Sequence, residues 1–326
     1  SQLFVGSSDN VITGHSLKDG TLAGNYTITY AKGTLEITKA SIAITVTADS
    51  NSKTYDGAAL TDGGYEMTAG TLAAGDAIDS VAIYGTITSV GSTSNTVGAV
   101  VIKHSGTDVS ENYVITKTNG TLTINARGIS IVSDSNSKEY DGTALTDSGY
   151  TLSAGTLVSG DEIFSVAVSG TITNAGNTPN AVGAVVIKNN SVDVTANYNI
   201  TKTSGTLTIT PIAIELTADS NSKEYDGTEL TDSGYTVTSG AFVGSQGLES
   251  VTVLGAQTYV GSSDNTITGH TLKSGTLAGN YTITYAKGTL TVVQASKAIT
   301  ITADSNSKQY DGTALTDSGY TLSAGT

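Results

Sequence analysis

One string recurs at a fixed interval and constrains everything the chain can fold into. Tyr-Asp-Gly occurs at Tyr55-Asp56-Gly57, Tyr140-Asp141-Gly142, Tyr225-Asp226-Gly227 and Tyr310-Asp311-Gly312, 85 residues apart each time. Every copy ends the same phrase, Asp-Ser-Asn-Ser-Lys-x-Tyr-Asp-Gly. A Gly-Tyr pair follows, with its tyrosine at Tyr65, Tyr150, Tyr235 and Tyr320. An Asn-Tyr pair recurs at Tyr26, Tyr113, Tyr198 and Tyr281, and a Gly-Thr-Leu after it at Gly33, Gly120, Gly205 and Gly288. Twelve of the 16 tyrosines therefore occupy three repeated positions, so tyrosine is a structural component of each copy. A period of this kind signals an array of small units, not the two ordinary domains that 326 residues would otherwise suggest.

A longer period lies above the first. Residues 1–71 match residues 256–326 at an offset of 255, three repeats, with most positions identical. The expectation is a parent array with a three-repeat super-period. Splitting at the least patterned points, near Ala40, Ala126, Pro211 and Ala295, gives residues 1–39 as the C-terminal part of a module. Residues 40–125, 126–210 and 211–294 are complete modules, and 295–326 the N-terminal part of another. Four modules of 85 residues would be 340, and 326 is 14 short. Two arrangements stay open. Either the segment ignores module boundaries, or the folding unit is out of phase with the sequence repeat and neighbours complete each other's sheets.

Within residues 126–210, Ile129 and Ile131 alternate with polar neighbours, as do Tyr150, Leu152 and Ala154, and Leu207 and Ile209. Such alternation marks half-buried strands. A longer strand is expected from Ile163 to Ile172 and another over Val182 to Ile187. Asp134-Ser135-Asn136-Ser137 reads as a loop into the Tyr140-Asp141-Gly142 turn. Tyr198–Lys202 and Leu207–Ile209 read as a hairpin around a short Gly loop. A single helical turn is expected near Gly160-Asp161-Glu162. No segment sustains a 3.6-residue period. The fold class is all-β: a tandem array of small immunoglobulin-like β-sandwich modules, in which the tyrosine of Asn-Tyr bonds its hydroxyl back to the backbone. β-grasp-like modules are the alternative. Junctions of about four residues, with no Gly/Ser linker, predict a stiff rod of roughly 130 Å from strand lengths of ~20 Å plus loops.

Composition removes several function classes. The chain has no Cys, hence no disulfide framework, thiolate metal site or Cys nucleophile. His15, His104 and His270 are scattered, and a net charge of -14 with 15 Lys+Arg gives no basic footprint for nucleic acid. No apolar run reaches the ~18–20 residues of a membrane span.

The motif set resembles a known family. Lys223-Glu224-Tyr225-Asp226-Gly227-Thr228, followed by Gly-Tyr, Val-Gly-Ser-Ser-Asp-Asn-Thr-Ile, Asn-Tyr-x-Ile-Thr as in Asn197-Tyr198-Asn199-Ile200-Thr201, and Gly-Thr-Leu-Thr-Ile, is similar to the YDG/MBG-type repeat domains. The likeness covers essentially the whole chain, with a small departure at Ala58 after the first Tyr-Asp-Gly. These domains occur in tandem in large bacterial surface and secreted proteins, adhesin-like proteins among them. The resemblance implies an extracellular or cell-surface stalk or fibre and supplies neither a ligand nor a catalytic residue.

Each motif carries a structural and a chemical reading. In Tyr-Asp-Gly, Tyr covers the end of the sandwich, Asp caps the turn through backbone N–H groups and Gly supplies its geometry. The chemical rival is an isopeptide bond, for which Lys138, Asn197 and Asp141 form the obvious trio. Asp49, Asp134, Asp219 and Asp304 are calcium candidates, although Lys53 stands where an EF-hand-like loop needs a ligand. No other cofactor is expected. No converging acid, base or nucleophile is visible, so the chain does not read as an enzyme. The expected function is a structural stalk or fibre segment of a bacterial adhesin-like protein. A self-assembling filament subunit and a glycan- or mucin-binding repeat are the rivals. The expected partners are neighbouring modules, with like chains or a host glycan or protein under the rival readings.

Overall fold

The computed structural model describes residues 1–39 and 43–323. The boundary placed near Ala40 lies outside the described residues. The fold is all-β: among the described residues the helical pieces are four three-residue 3-10 turns, each running into an Asn-Tyr tyrosine, as Thr195–Asn197 does before Tyr198. None is the α-helix of a β-grasp module. The alternation read in the sequence is what buries each strand. In Ala43–Ala48, Ile44, Val46 and Ala48 are buried while Thr45 and Thr47 point away.

Each repeat builds two sheets. In 40–125 a three-stranded sheet has the order Tyr65–Ala69, Ala43–Ala48, Val114–Thr118. The second has the order Asn51–Thr54, Gly120–Asn125, Gly91–His104, Asp76–Tyr84, with Thr107–Asp108 added beside the long strand. That 14-residue strand serves two neighbours in turn: Gly91–Asn95 pairs with Gly120–Ile124, and Thr96–His104 with Asp76–Tyr84. Residues 211–294 repeat the plan with Tyr235–Ser239, Ile212–Ala218 and Tyr281–Ala286 in one sheet. Asn221–Glu224, Gly288–Val293, Gly261–Leu272 and Leu248–Leu254 form the other.

Three expectations are corrected. The Asn-Tyr and Gly-Thr-Leu strands are not a hairpin. Tyr198–Thr203 pairs in parallel with Arg127–Ser133, while Gly205–Thr210 pairs in parallel with Asn136–Glu139 and antiparallel with Gly176–Asn180. The reason sits at the glycine. A Cβ on Gly205 would fall 2.5 Å from the Ser133 carbonyl and closer still to that of Asp134, so only glycine lets the chain pass from one sheet to the other. Asn136 and Ser137, read as loop, begin a strand, because that second parallel ladder gives their backbone partners. The segment near Asp161, read as a helical turn, opens the strand Asp161–Ser169.

The chain divides into two compact units: Ser1–Val132, Thr151–Ala167 and Val182–Thr203 form one; Ser133–Tyr150, Val168–Ala181 and Ser204–Thr326 the other. In the first unit, one core gathers Ile44, Val46, Val97, Ile102, Val109 and Tyr113. A second joins Tyr55, Leu60, Leu122 and Ile124 to Ile129, Ile131, Val185, Ile187 and Tyr198, residues on both sides of Ala126. In the second unit, Tyr140, Leu145, Leu207 and Ile209 share a core with Ile214, Leu216, Val253, Ile267 and Tyr281 on both sides of Pro211. Successive repeats thus complete one another's cores. Each buried aliphatic contributes about 1.5–3 kcal/mol of burial, so the boundaries at Ala126 and Pro211 lie inside stabilising contacts. Among the described residues no helix is long and apolar enough to cross a membrane.

Candidate functional site

The two tyrosine motifs meet where one repeat follows another. In the first unit, Tyr55 of Tyr-Asp-Gly lies edge-on against Tyr198 of the next repeat's Asn-Tyr pair, with ring centroids 5.7 Å apart. Both rings are buried. Tyr198 Oη accepts the Val158 N–H at 2.9 Å, the expected bond to the backbone, and donates to Asp161 Oδ2 at 2.6 Å. Tyr55 Oη donates more weakly to the same oxygen at 3.4 Å, and Asn189 Nδ2 donates to the other oxygen at 2.7 Å. Burial, with the Asp161 bond second, pushes the Tyr198 phenol up to about 12. Burial and the Asp161 charge raise Tyr55 as well.

Asn197 makes the joint two-pointed. Its Oδ1 accepts the Val90 N–H of the preceding repeat at 2.8 Å. Arg127 adds a third point: its Nη1 reaches the Tyr55 carbonyl of the preceding repeat at 3.5 Å, while Nε and Nη2 hold the Thr156 carbonyl and Oγ1 of its own repeat, both at 2.6 Å. Gly57 takes φ +80°, and a side chain there would press on Val158, 2.8 Å from its Cγ1. Glycine is needed here for conformation and for closeness.

The second unit holds the same tyrosine contact with a different hub, and Ile212 stands where the first has Arg127. Tyr140 meets Tyr281 edge-on at 5.7 Å, and Gln246 replaces the aspartate. Gln246 Nε2 donates to Tyr140 Oη at 2.8 Å, and Tyr281 Oη donates to Gln246 Oε1 at 2.6 Å. The Val243 N–H reaches Tyr281 Oη at 3.0 Å, and the Ala175 N–H reaches Asn280 Oδ1 at 2.8 Å. An amide that can take the place of a carboxylate shows that the position needs an acceptor of the right reach rather than a charge. A related cluster in the first unit joins Tyr113 Oη to Asp76 Oδ2 at 2.5 Å and His104 Nδ1 to Asp76 Oδ1 at 2.6 Å. The Tyr113 bond, with His104 behind it, holds Asp76 below its usual value against the cost of burial. Tyr225 and Tyr310 are exposed, and Tyr26 of the opening segment is exposed too.

The rest of the Tyr-Asp-Gly turn is a closed hydrogen-bond ring. Asp141 Oδ1 accepts from the Thr143 N–H at 2.8 Å and from Lys138 Nζ at 2.7 Å, and Lys138 also reaches Thr143 Oγ1 at 2.6 Å. Asp56 and Asp226 are bound the same way by Lys53 and Lys223. These lysines depress the carboxyls of Asp56, Asp141 and Asp226, and the Thr313 N–H followed by Lys308 depresses Asp311. Of the isopeptide trio, Lys138 and Asp141 are brought together in the second unit. Asn197 belongs to the first, where its amide holds Val90.

Each calcium candidate is anchored through its backbone. Asp49, Asp134, Asp219 and Asp304 donate their N–H groups to the carbonyls of Gly64, Gly149, Gly234 and Gly319. A second aspartate stands close by at Asp62, Asp147, Asp232 and Asp317, already accepting the same glycine's N–H. Each repeat thus brings two carboxylates to this corner. Among the described residues no three His, Cys, Asp or Glu side chains gather at metal-binding distance.

Several residues that build the joints escaped the motif reading. Asn95 is fully buried, with Nδ2 donating to the carbonyls of Asp49 at 2.9 Å and Asp62 at 3.1 Å. Asn180 and Asn265 are its equivalents, and Asp76, Asp161 and Gln246 are a second such set. Both sets recur at the 85-residue interval, so the period itself was the signal that would have found them.

The geometry is that of a packed joint between copies of one repeated unit. No curated protein matches the chain. Residues 44–123 match the family described as the MBG domain (YGX type), and the 85-residue period carries the same motifs through the repeats that follow.

Proposed function

We propose that this chain is a structural segment of an extracellular, adhesin-like bacterial repeat protein, acting as stalk or fibre rather than as catalyst. The observation that carries the reading is the shared core. Tyr55, Leu122 and Ile124 are buried by residues of the following repeat, and Tyr140, Leu207 and Ile209 by residues of theirs. A chain of independent binding modules needs flexible linkers. Here the functional investment lies in the contact between copies. The MBG family is not an enzyme family, which fits a part whose recurring chemistry is hydrogen bonding at joints.

The test is location on the source cell. Antibody raised against the full chain should label intact cells, and the label should vanish after brief external protease treatment. Labelling that appears only after lysis would sink the proposal. Glycan-array binding by the purified chain would favour the binding-module reading, and sedimentation as concentration-dependent polymers would favour the filament.

A further inference from the structure

We propose that each repeat is closed by a shear clamp, a parallel two-armed ribbon that makes the folded repeat resist tension applied along the chain. This deepens the stalk reading and rests on it for its purpose. The first arm is the strand pair that opens the repeat, and the second arm is the strand pair that ends it. In the first complete repeat, Ala43↔Val114 through Thr47↔Thr118 form one parallel ladder and Asn51↔Leu122 through Thr54↔Asn125 another. Both keep one offset of 71 residues, so the arms run side by side without slipping while they cross from one sheet to the other. In the third repeat the pairs are Ile212↔Tyr281 to Thr217↔Ala286 and Asn221↔Leu290 to Glu224↔Val293, at a constant offset of 69.

The corner between the two ladders is bonded as well. Ser50 Oγ accepts the Thr121 N–H at 3.0 Å, and Ser220 Oγ accepts the Thr289 N–H at 3.0 Å. Gly120 and Gly288 carry no Cβ where one would lie against the carbonyls of Asp49 and Asp219. The Asp-Ser-Asn-Ser and Gly-Thr-Leu motifs are therefore the two faces of a single device. The second repeat has the same pairings, Arg127–Val132 with Tyr198–Thr203 in the first unit and Asn136–Glu139 with Leu207–Thr210 in the second.

The direction of load follows from the topology. The chain enters the third repeat beside the start of the second arm and leaves it beside the end of the first. Pulling on entry and exit drags two parallel strands lengthwise past each other, and the evenly spaced bonds of both ladders carry the load together. Pulling on two points at the same end of the ribbon opens the bonds one after another.

The cysteine-free chain allows attachment at chosen points. In the full chain, Pro211→Cys with Gln294→Cys places the handles at entry and exit. Pro211→Cys with Gly279→Cys places both at one end, next to Ile212 and Tyr281, and all three positions are exposed. Force spectroscopy at one pulling speed reads the unfolding barrier along each direction. The entry–exit pair is expected to rupture at a force at least about twofold higher. Equal forces, or a stronger same-end pair, would overturn the clamp. If Gly279→Cys does not fold, the neighbouring exposed Ala278→Cys replaces it. Failed surface labelling would remove the stalk and leave the force ratio standing, whereas a ratio of one would remove the clamp and leave the location standing.

Discussion

Tyr55 and Tyr198 belong to different sequence repeats, yet their rings meet edge-on, 5.7 Å between centroids and 78° between planes. Tyr140 and Tyr281 do the same at 5.7 Å and 83°. Two motifs that look like separate signatures are halves of one contact. The hub below them is carboxylate in one joint and amide in the other, Asp161 against Gln246, so the ring geometry is held constant while the polar partner varies.

Removing the ring should cost more than removing its hydroxyl. Tyr198→Ala deletes a buried aromatic and is expected to destabilise by about 3–5 kcal/mol. Tyr198→Phe keeps the ring but strands the Val158 N–H and leaves Asp161 Oδ2 with the long Tyr55 bond alone, for about 1–3 kcal/mol. Urea denaturation of the full chain, followed by circular dichroism, would check the order. A double-mutant cycle of Tyr55→Ala and Tyr198→Ala should show a coupling of about 0.5–1.5 kcal/mol. Additive effects would mean that the edge-on contact carries no energy of its own.

Two glycines to alanine should behave in opposite ways. At Gly120 a Cβ would lie 2.5 Å from the Ala48 carbonyl and closer to that of Asp49, so the arms must separate. Gly120→Ala is expected to cost about 1–3 kcal/mol. At Gly128 a Cβ meets nothing within 4 Å, and φ is not positive. Gly128→Ala should be neutral or should stabilise by up to about 1 kcal/mol, through a less flexible unfolded chain. Thermal melts of the two variants side by side decide this, and matching losses would refute the corner argument.

Alkaline pH should weaken the first-unit joint through Tyr198. Its phenol titrates near 10 in an unfolded chain and is pushed up to about 12 in the folded one, chiefly by burial. The folded state therefore keeps a proton that the unfolded state has lost. The contribution is full below pH 10 and declines as pH rises from 10 towards 12. Tyr198→Phe should be less stable at neutral pH and should lose less stability over that alkaline window. A melting-temperature profile from pH 8 to 12 that is parallel for the two proteins would refute the assignment.

Strand content and positions were legible from alternation: Ile129 with Ile131 and Leu207 with Ile209 are buried strand residues, as the pattern required. Pairing was not. Tyr198–Thr203 and Gly205–Thr210 are separated by a single residue, which resembles a hairpin to any local reading. Their real partners lie about seventy residues upstream, and sequence periodicity carries no information about such distant registers. The joint was hidden for a similar reason. Asn95 is polar in a strand of mixed pattern, and only its spacing to Asn180 and Asn265 marks it. The Tyr-Asp-Gly turn was legible because its bonds are local, Asp141 to Thr143 two residues on.

Asn95 provides the strictest check of the polar interior. It is fully buried, and its Nδ2 ties the carbonyls of Asp49 and Asp62 together; its Oδ1 has no hydrogen-bond partner among the described residues and packs where Gly85 lacks a Cβ. Asn95→Ala removes both donated bonds and should cost about 2–3 kcal/mol. Asn95→Asp keeps the shape but, ionised, offers acceptors to two carbonyl oxygens. Burial raises the pKa of such a carboxyl, so the unfolded chain releases its proton at a lower pH than the folded one. The variant should therefore be nearest to the parent protein below pH 4 and fall further behind as the pH rises to 7. Denaturation midpoints of parent and variant at the two ends of that range measure the gap, and a gap that does not widen would mean that the amide hydrogens at Asn95 do not hold the two strand ends.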